Sequence, residues 1–279
     1  MKLKNKLVML LLIALPLVVS AVGQRAPVSV PVPGGIAVVD LGKVAQPQAF
    51  FGQRRVLVMP DQARWQAVVG IPLDTAPGRQ TLRVKTADGE KLLGFNVVAK
   101  EYAEQHISIS DKRKVNPLPQ DLKRIQRESE LIRAARANWS ETQPGTLRLA
   151  LPVAGRLSSP FGLKRFFNQQ ARRPHSGLDI AADTGTVIAA PKDGSVINTG
   201  EYFFNGKTVF LDHGQGFITL YCHLHEIRVR QGDRVKAGDI IGTVGKTGRA
   251  TGPHLHWGVY LNNTAVDPAI FIEAVRDGE

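Results

Sequence analysis

A single cysteine, Cys222, stands in 279 residues. That excludes an intramolecular disulfide, so the fold is not stapled by an oxidising compartment. The metalloprotease helix H-E-x-x-H is missing too, because Val229 stands where His225-Glu226 would need its second histidine. Gly245-Lys246-Thr247 ends like a phosphate-binding loop, but Ile240 occupies the position of that loop's first glycine, which argues against nucleotide binding. No long apolar run is present either. The run from Leu7 to Val19 has 13 residues and contains Pro16, short of the roughly 20 that a spanning helix requires.

That short run has another reading. Lys2, Lys4 and Lys6 precede it, and Ala21 and Gly23 stand three residues and one residue before a cut ahead of Gln24. This is the layout of a secretory signal peptide, residues 1–23, and implies export to the periplasm, or secretion, with no stable membrane span after cleavage. The remaining chain carries 33 basic and 24 acidic residues. A basic exported protein without a nucleic-acid motif fits work on an anionic polymer or near an anionic surface, although a merely solvated surface explains the charge equally well.

Residues 24–110 are rich in valine, proline and glycine, with short apolar or alternating runs separated by turn signals such as Asp88-Gly89. They are expected to form a small β-sandwich accessory domain. Residues 111–145 form a helical linker. Leu122, Ile125, Ile132, Ala135 and Trp139 recur near helical spacing over Pro117 to Ser140, with Lys123, Arg124, Arg127, Glu128, Glu130 and Arg133 around them. Such a helix is expected to pack on one of the domains. From 146 to 279 the chain returns to glycine-punctuated strands, ending in a short helix over Pro268 to Val275, so the fold class is mainly β with an antiparallel carboxy-terminal domain.

The chemistry gathers in this last part. His254 and His256 stand one residue apart in a strand, so both rings face one side about 7 Å apart at the backbone. That suits one metal ligand beside one catalytic group, without saying which is which. His175 and Asp179 are about 13 Å apart on a straight strand, so the backbone must bend between them, and Ser176-Gly177 is the expected hinge. Two imidazoles and a carboxylate leave a fourth zinc position for water, the pattern of a catalytic zinc, which lowers the pKa of its water to about 7. His223 is the candidate base, with His225 at the same strand parity. Cys222 is expected to point away from His223 into packing. His213 reads as a turn histidine and His106 as an isolated one. In the Arg165 to Arg173 loop, Asn168 is a candidate to approach the fourth zinc position or line the groove, and the arginines are candidates to meet anionic peptides.

The series SSPFG (158–162), PHSGLD (174–179), YCHL (221–224) and GDRVKAGDIIGTVGKTGRATGPHLHW (232–257) resembles the lysostaphin-type zinc peptidases of peptidoglycan. The resemblance covers about Leu151 to Phe271. It implies a lysostaphin-type catalytic domain at 146–279, metal ligands His175, Asp179 and His256, catalytic His223 and His254, and a groove or surface position for His225. It also implies a Zn2+ cofactor and peptidoglycan peptide stems as substrate, with an envelope regulatory protein as a further partner. A zinc endopeptidase cutting D-alanine to meso-diaminopimelate cross-links is the leading expectation. The alternatives are a non-catalytic envelope adaptor that binds peptidoglycan or activates an amidase, and an exported protease of glycine-rich proteins.

Overall fold

The computed structural model describes residues 26–272. The signal segment expected at 1–23 lies outside the described residues, as does the end of the last expected helix. The described part of that helix is one 3-10 turn, Pro268–Ile270.

The amino-terminal part contains six antiparallel strands: β1 (Ile36–Gly42), β2 (Gln48–Phe51), β3 (Arg54–Asp61), β4 (Arg64–Gly70), β5 (Gly78–Thr86) and β6 (Gly89–Val97). Their order is β1-β4-β3-β2-β5-β6. β3 belongs to two layers, because Arg54 to Val56 pair with β2 while Leu57 to Asp61 pair with β4. Ala37, Val39, Val58, Ala67 and Val69 from one side meet Ala49, Val56, Leu82, Val84 and Val97 from the other in a single core. The opposite face of β1, β3 and β4 is also covered. Ile36, Leu57, Met59 and Val68 pack into the core of the carboxy-terminal half. Burial on both faces explains why VLVM (56–59) and AVV (67–69) are apolar without alternation.

Hydrogen bonds tie the two halves together. Asn262 and Asn263 form the turn after the strand His254–Leu261 with φ of +42° and +57°, the left-handed pair that a two-residue hairpin demands. The Asn262 amide accepts from Gly70 N at 2.7 Å and donates to Gly70 O at 3.0 Å. Gln215 accepts from Val58 N at 3.0 Å.

After β6 the chain forms β7 (Glu104–Ile107) and then α1 (Pro119–Arg136). The helix ends near where periodicity places it, but its faces differ from expectation. Leu122 is 55% exposed, whereas Glu128 is buried. Glu128 faces the turn between the strands Gly194–Tyr202 and Gly206–Asp212, accepting the Phe203 N–H at 2.7 Å and an Arg124 Nε–H at 2.6 Å. A local need for an acceptor at that open turn outweighs the apolar stripe. Ala135 packs on Phe210, Ile218, Leu220, Cys222 and Tyr260.

The carboxy-terminal half holds β8 (Arg156–Ser159), β9 (Lys164–Phe167), β10 (Gln170–Ala171), β11 (Leu178–Ala181), β12 (Val187–Ala189), β13 (Gly194–Tyr202) and β14 (Gly206–Asp212). It continues with β15 (Ile218–Leu224), β16 (Glu226–Ile227), β17 (Arg234–Val235), β18 (Ile240–Thr243), β19 (His254–Leu261) and β20 (Thr264–Val266). The main sheet runs β17-β13-β14-β15-β19-β11-β8, with β20 on β19. A small sheet, β12-β18-β16, packs beside it. A third, β10-β9-β7, adds the linker strand β7 in parallel to the segment that precedes His175. The architecture is mainly β, as expected, with α1 the α-helix of the described residues.

Candidate metal centre and active site

Register builds the site. β11 and β19 run antiparallel with Asp179 directly opposite His256, and β15 places Cys222 opposite His256 on the other side. His175 precedes β11 and is held by backbone bonds on both sides, His175 N to Leu163 O at 2.9 Å and Gly162 N to His175 O at 2.8 Å. The chain then bends through Ser176-Gly177, which brings the His175 ring back onto Asp179. Gly177 is needed there for close approach. A Cβ on Gly177 would lie 2.5 Å from Trp257 O and 2.7 Å from His256 Cε1. The φ of Gly177 is not positive, so the hinge calls for glycine through close approach and not through a left-handed dihedral.

Three donor atoms converge. His175 Nε2 lies 2.9 Å from Asp179 Oδ1, His256 Nδ1 lies 2.8 Å from the same oxygen, and the two nitrogens are 3.0 Å apart. The outer contacts fix these ligands. His175 Nδ1 donates to Pro160 O at 2.7 Å, since a carbonyl only accepts, so Nε2 carries the lone pair toward the cluster. Asp179 Oδ2 accepts from Arg165 Nη2 at 2.6 Å. Burial and the neighbouring rings compete at Asp179. Burial pushes the carboxyl up, but the His175 and His256 rings beside it outweigh that and hold it well below the usual carboxylate range. His175 is kept neutral because burial lowers its pKa to about 4. Two imidazole nitrogens and one carboxylate oxygen, with outer partners that orient His175 and Asp179, make a donor set that fits zinc.

His223 and His254 stand beside this cluster. Their ring centroids are 4.8 Å apart, and His223 is 6.1 Å from His256. His223 Nδ1 donates to Thr247 O at 2.8 Å, and His254 Nδ1 donates to Gly252 O at 2.9 Å, so in the neutral form of each ring Nε2 is the free nitrogen. His254 and His256 share a face, as alternation requires.

His223 breaks that alternation. Its φ is +66°, so Cys222 and His223 line the same pocket instead of diverging, which corrects the sequence expectation. Cys222 is nonetheless buried in packing, with its thiol pushed up by desolvation. That makes it a poor nucleophile.

The remaining expectations divide. His225 is exposed and away from the pocket lining. His106 is exposed and stacks on Phe166 at 4.6 Å. His213 borders a turn but is a core residue, bonded to Asp193 O and Thr219 Oγ1, each at 2.8 Å. Asn168 does not reach the metal cluster. Its amide donates to Ile109 O at 3.0 Å and accepts from Ile109 N at 2.8 Å, because β7 pairs with β9 and needs its end closed. Arg165, from the same loop, is the residue that touches the site.

Sequence reasoning did not single out Thr247. The turn that mimics a phosphate loop serves as a clasp: Thr247 Oγ1 accepts from Lys207 N and donates to Leu224 O, while its carbonyl orients His223.

A pocket of about 290 Å³ opens on His175, His223 and His256, and α1 contributes Ser129, Ile132 and Arg136 to its wall. A larger cavity, about 770 Å³, lies elsewhere and includes only His213 among the histidines. Chemistry, not volume, marks the site.

Comparison with known proteins agrees with this geometry. Residues 173–268 match the model of peptidase family M23, and residues 29–100 match the peptidase family M23 N-terminal domain. A solved Pseudomonas aeruginosa structure described as an M23 peptidase is 50% identical, with a TM-score of 0.75, over 87% of this chain and 95% of that one. The chain belongs to peptidase family M23. Among curated M23-like relatives, the DD-carboxypeptidase/endopeptidase Mpg of Neisseria meningitidis is 42% identical over 116 residues, 42% of this chain and 27% of that protein. The peptidoglycan DD-endopeptidase ShyC of Vibrio cholerae is 41% identical over 114 residues, 40% of this chain and 26% of that protein. The match thus spans about a quarter of the length of these relatives.

Proposed function

We propose that this protein is an exported, zinc-dependent endopeptidase that hydrolyses peptide cross-links in peptidoglycan, at the bond between D-alanine and meso-diaminopimelate. The observation that carries the reading is the convergence of His175, Asp179 and His256 within 3.0 Å of one another, beside two histidines whose free nitrogen in the neutral form is Nε2. The peptidoglycan activity named for ShyC supports the substrate class. The basic charge and the signal-like first 23 residues support a periplasmic address.

His175 Nε2, Asp179 Oδ1 and His256 Nδ1 would hold the ion. Bound zinc supplies Lewis acidity, activating water and polarising a carbonyl. His223 and His254 do the proton work. Each ring is fixed by a backbone carbonyl at Nδ1, so Nε2 is positioned to accept a proton and then return it to the leaving amine. Arg165 holds Asp179 in its ionised, ligating orientation.

The test is digestion of purified sacculi with residues 24–279. Cross-linked muropeptides are expected to fall to monomers, with activity lost on chelation and restored by zinc. Stoichiometric zinc without any cleavage would overturn the enzyme reading and favour an envelope adaptor. New termini other than D-alanine and diaminopimelate would overturn the bond assignment alone.

A further inference from the structure

Among the described residues, the pocket over the histidines is lined by Arg136, Arg165, Arg173 and Arg249 and by no carboxylate. Arg165 is engaged with Asp179. Arg249 has no such carboxylate partner among the described residues. Its guanidinium lies 4.5 Å from the Phe167 ring centroid and 4.6 Å from that of Phe204. Its side chain donates one long bond, Nη1 to Lys114 O at 3.4 Å. Burial pulls its pKa down to about 10, and the nearby charges of Arg165 and Arg172 pull the same way.

A half-buried guanidinium without a counter-charge has lost part of its hydration, and an arriving carboxylate offsets that cost through charge-assisted bonds. The aromatic sandwich holds the planar fork in one orientation before any ligand arrives, which favours bidentate capture. Arg136 adds to the positive field of the same wall, with its Nε buried and unpartnered. Arg173 is exposed near the mouth.

We propose that Arg249, clamped between Phe167 and Phe204, is a specificity residue that receives a substrate carboxylate, so that this protein cuts peptides bearing a free carboxylate beside the scissile bond in preference to the same peptides amidated. The proposal rests on the peptidase reading above. In a peptide stem the carboxylate has two sources, the free chain end and the acidic side chain of diaminopimelate.

The experiment uses zinc-loaded protein and three synthetic cross-linked peptides: the free acid, the chain-end carboxamide and the diaminopimelate side-chain carboxamide. The expected result is a kcat/KM at least about tenfold higher for the acid than for one of the amides, carried mainly by KM. Which amide suffers identifies the source. Arg249→Gln removes the discrimination and Arg249→Lys retains part of it. A purely structural staple would instead lower turnover of acid and amides alike. Equal kcat/KM on all three peptides with wild-type protein overturns the clamp and leaves the peptidase reading intact, whether or not Arg249→Gln folds. Should none be cut, the peptidase reading falls, and fluorescence anisotropy with the same peptides decides the clamp. Acid binding no tighter than either amide overturns it.

Discussion

Arg165 Nη2 donates to Asp179 Oδ2 at 2.6 Å, so the carboxylate faces the two imidazoles with Oδ1 and an arginine with Oδ2. The arginine comes from β9, a strand that the linker strand β7 completes by parallel pairing. Gln105 on β7 accepts the Arg165 Nε–H at 3.1 Å. The segment joining the two halves of the chain thereby supports the orientation of a metal ligand.

Arg165→Met should weaken zinc binding about 10- to 100-fold, because an outer partner of a ligand is removed while its ligand atoms stay. Competition with a chromogenic chelator measures this. Unchanged affinity would mean that Asp179 is oriented by the histidines alone.

Gly177→Ala should cost zinc affinity without touching a ligand. The added methyl meets the His256 ring at 2.7 Å and 2.9 Å and the Trp257 carbonyl at 2.5 Å, so the ring or the strand must move. Overpacking of this kind costs about 1–3 kcal/mol. A variant with wild-type metal affinity and melting temperature would contradict the account.

His256→Ala should lose the metal, whereas His223→Ala should keep it and lose about 10²- to 10⁴-fold in turnover. Metal content and muropeptide kinetics on the same preparations separate the two roles. Equal metal loss in both variants would show that the division is wrong.

Acid should destabilise the protein through His213 in a definite window. Burial lowers this histidine's pKa to about 4, against about 6.5 in the unfolded chain. Below pH 6.5 the unfolded state gains a proton that the folded state refuses, so the contribution is full above that pH and is lost as pH falls toward 4. The slope approaches 1.4 kcal/mol per pH unit. Urea unfolding in chelator from pH 7.5 to 4.5 should show a shallower decline for His213→Gln. Parallel profiles would refute it.

Asn262→Ala should destabilise the joint between the two halves. Both backbone groups of Gly70 lose buried partners, at about 1–3 kcal/mol for each group left unsatisfied. Denaturation followed by fluorescence, with Trp65 in one half and Trp257 in the other, reads whether the halves still unfold together. An unshifted midpoint would show that apolar burial alone holds the joint.

Much of this was legible in the chain. Alternation put His254 and His256 on one face, and the reach of a strand required a bend between His175 and Asp179. Both follow from backbone geometry that every strand obeys. Cys222 packs inward as expected, but that His223 lines the same pocket was not legible, because His223 itself is left-handed and inverts the parity on which the expectation rested. Glu128 was misread because helical periodicity sees the helix and not the open turn at Phe203 that it caps. Asn168 likewise went to Ile109, a partner 59 residues away that no local pattern announces.

The sequence by itself determined the mainly β character, the linker helix and the donor types of the metal cluster, because periodicity and ligand chemistry are properties of residues. Tertiary structure decided which atoms of those residues face inward. The carbonyls of Pro160, Gly252 and Thr247 assign the imidazole nitrogens, and Arg165 assigns the oxygens of Asp179. It also decided that Arg249 lies half-stripped of water against two rings, with no acid among the described residues to meet it. Those contacts join segments far apart in the chain, and only the pairing of strands brings them within hydrogen-bond reach.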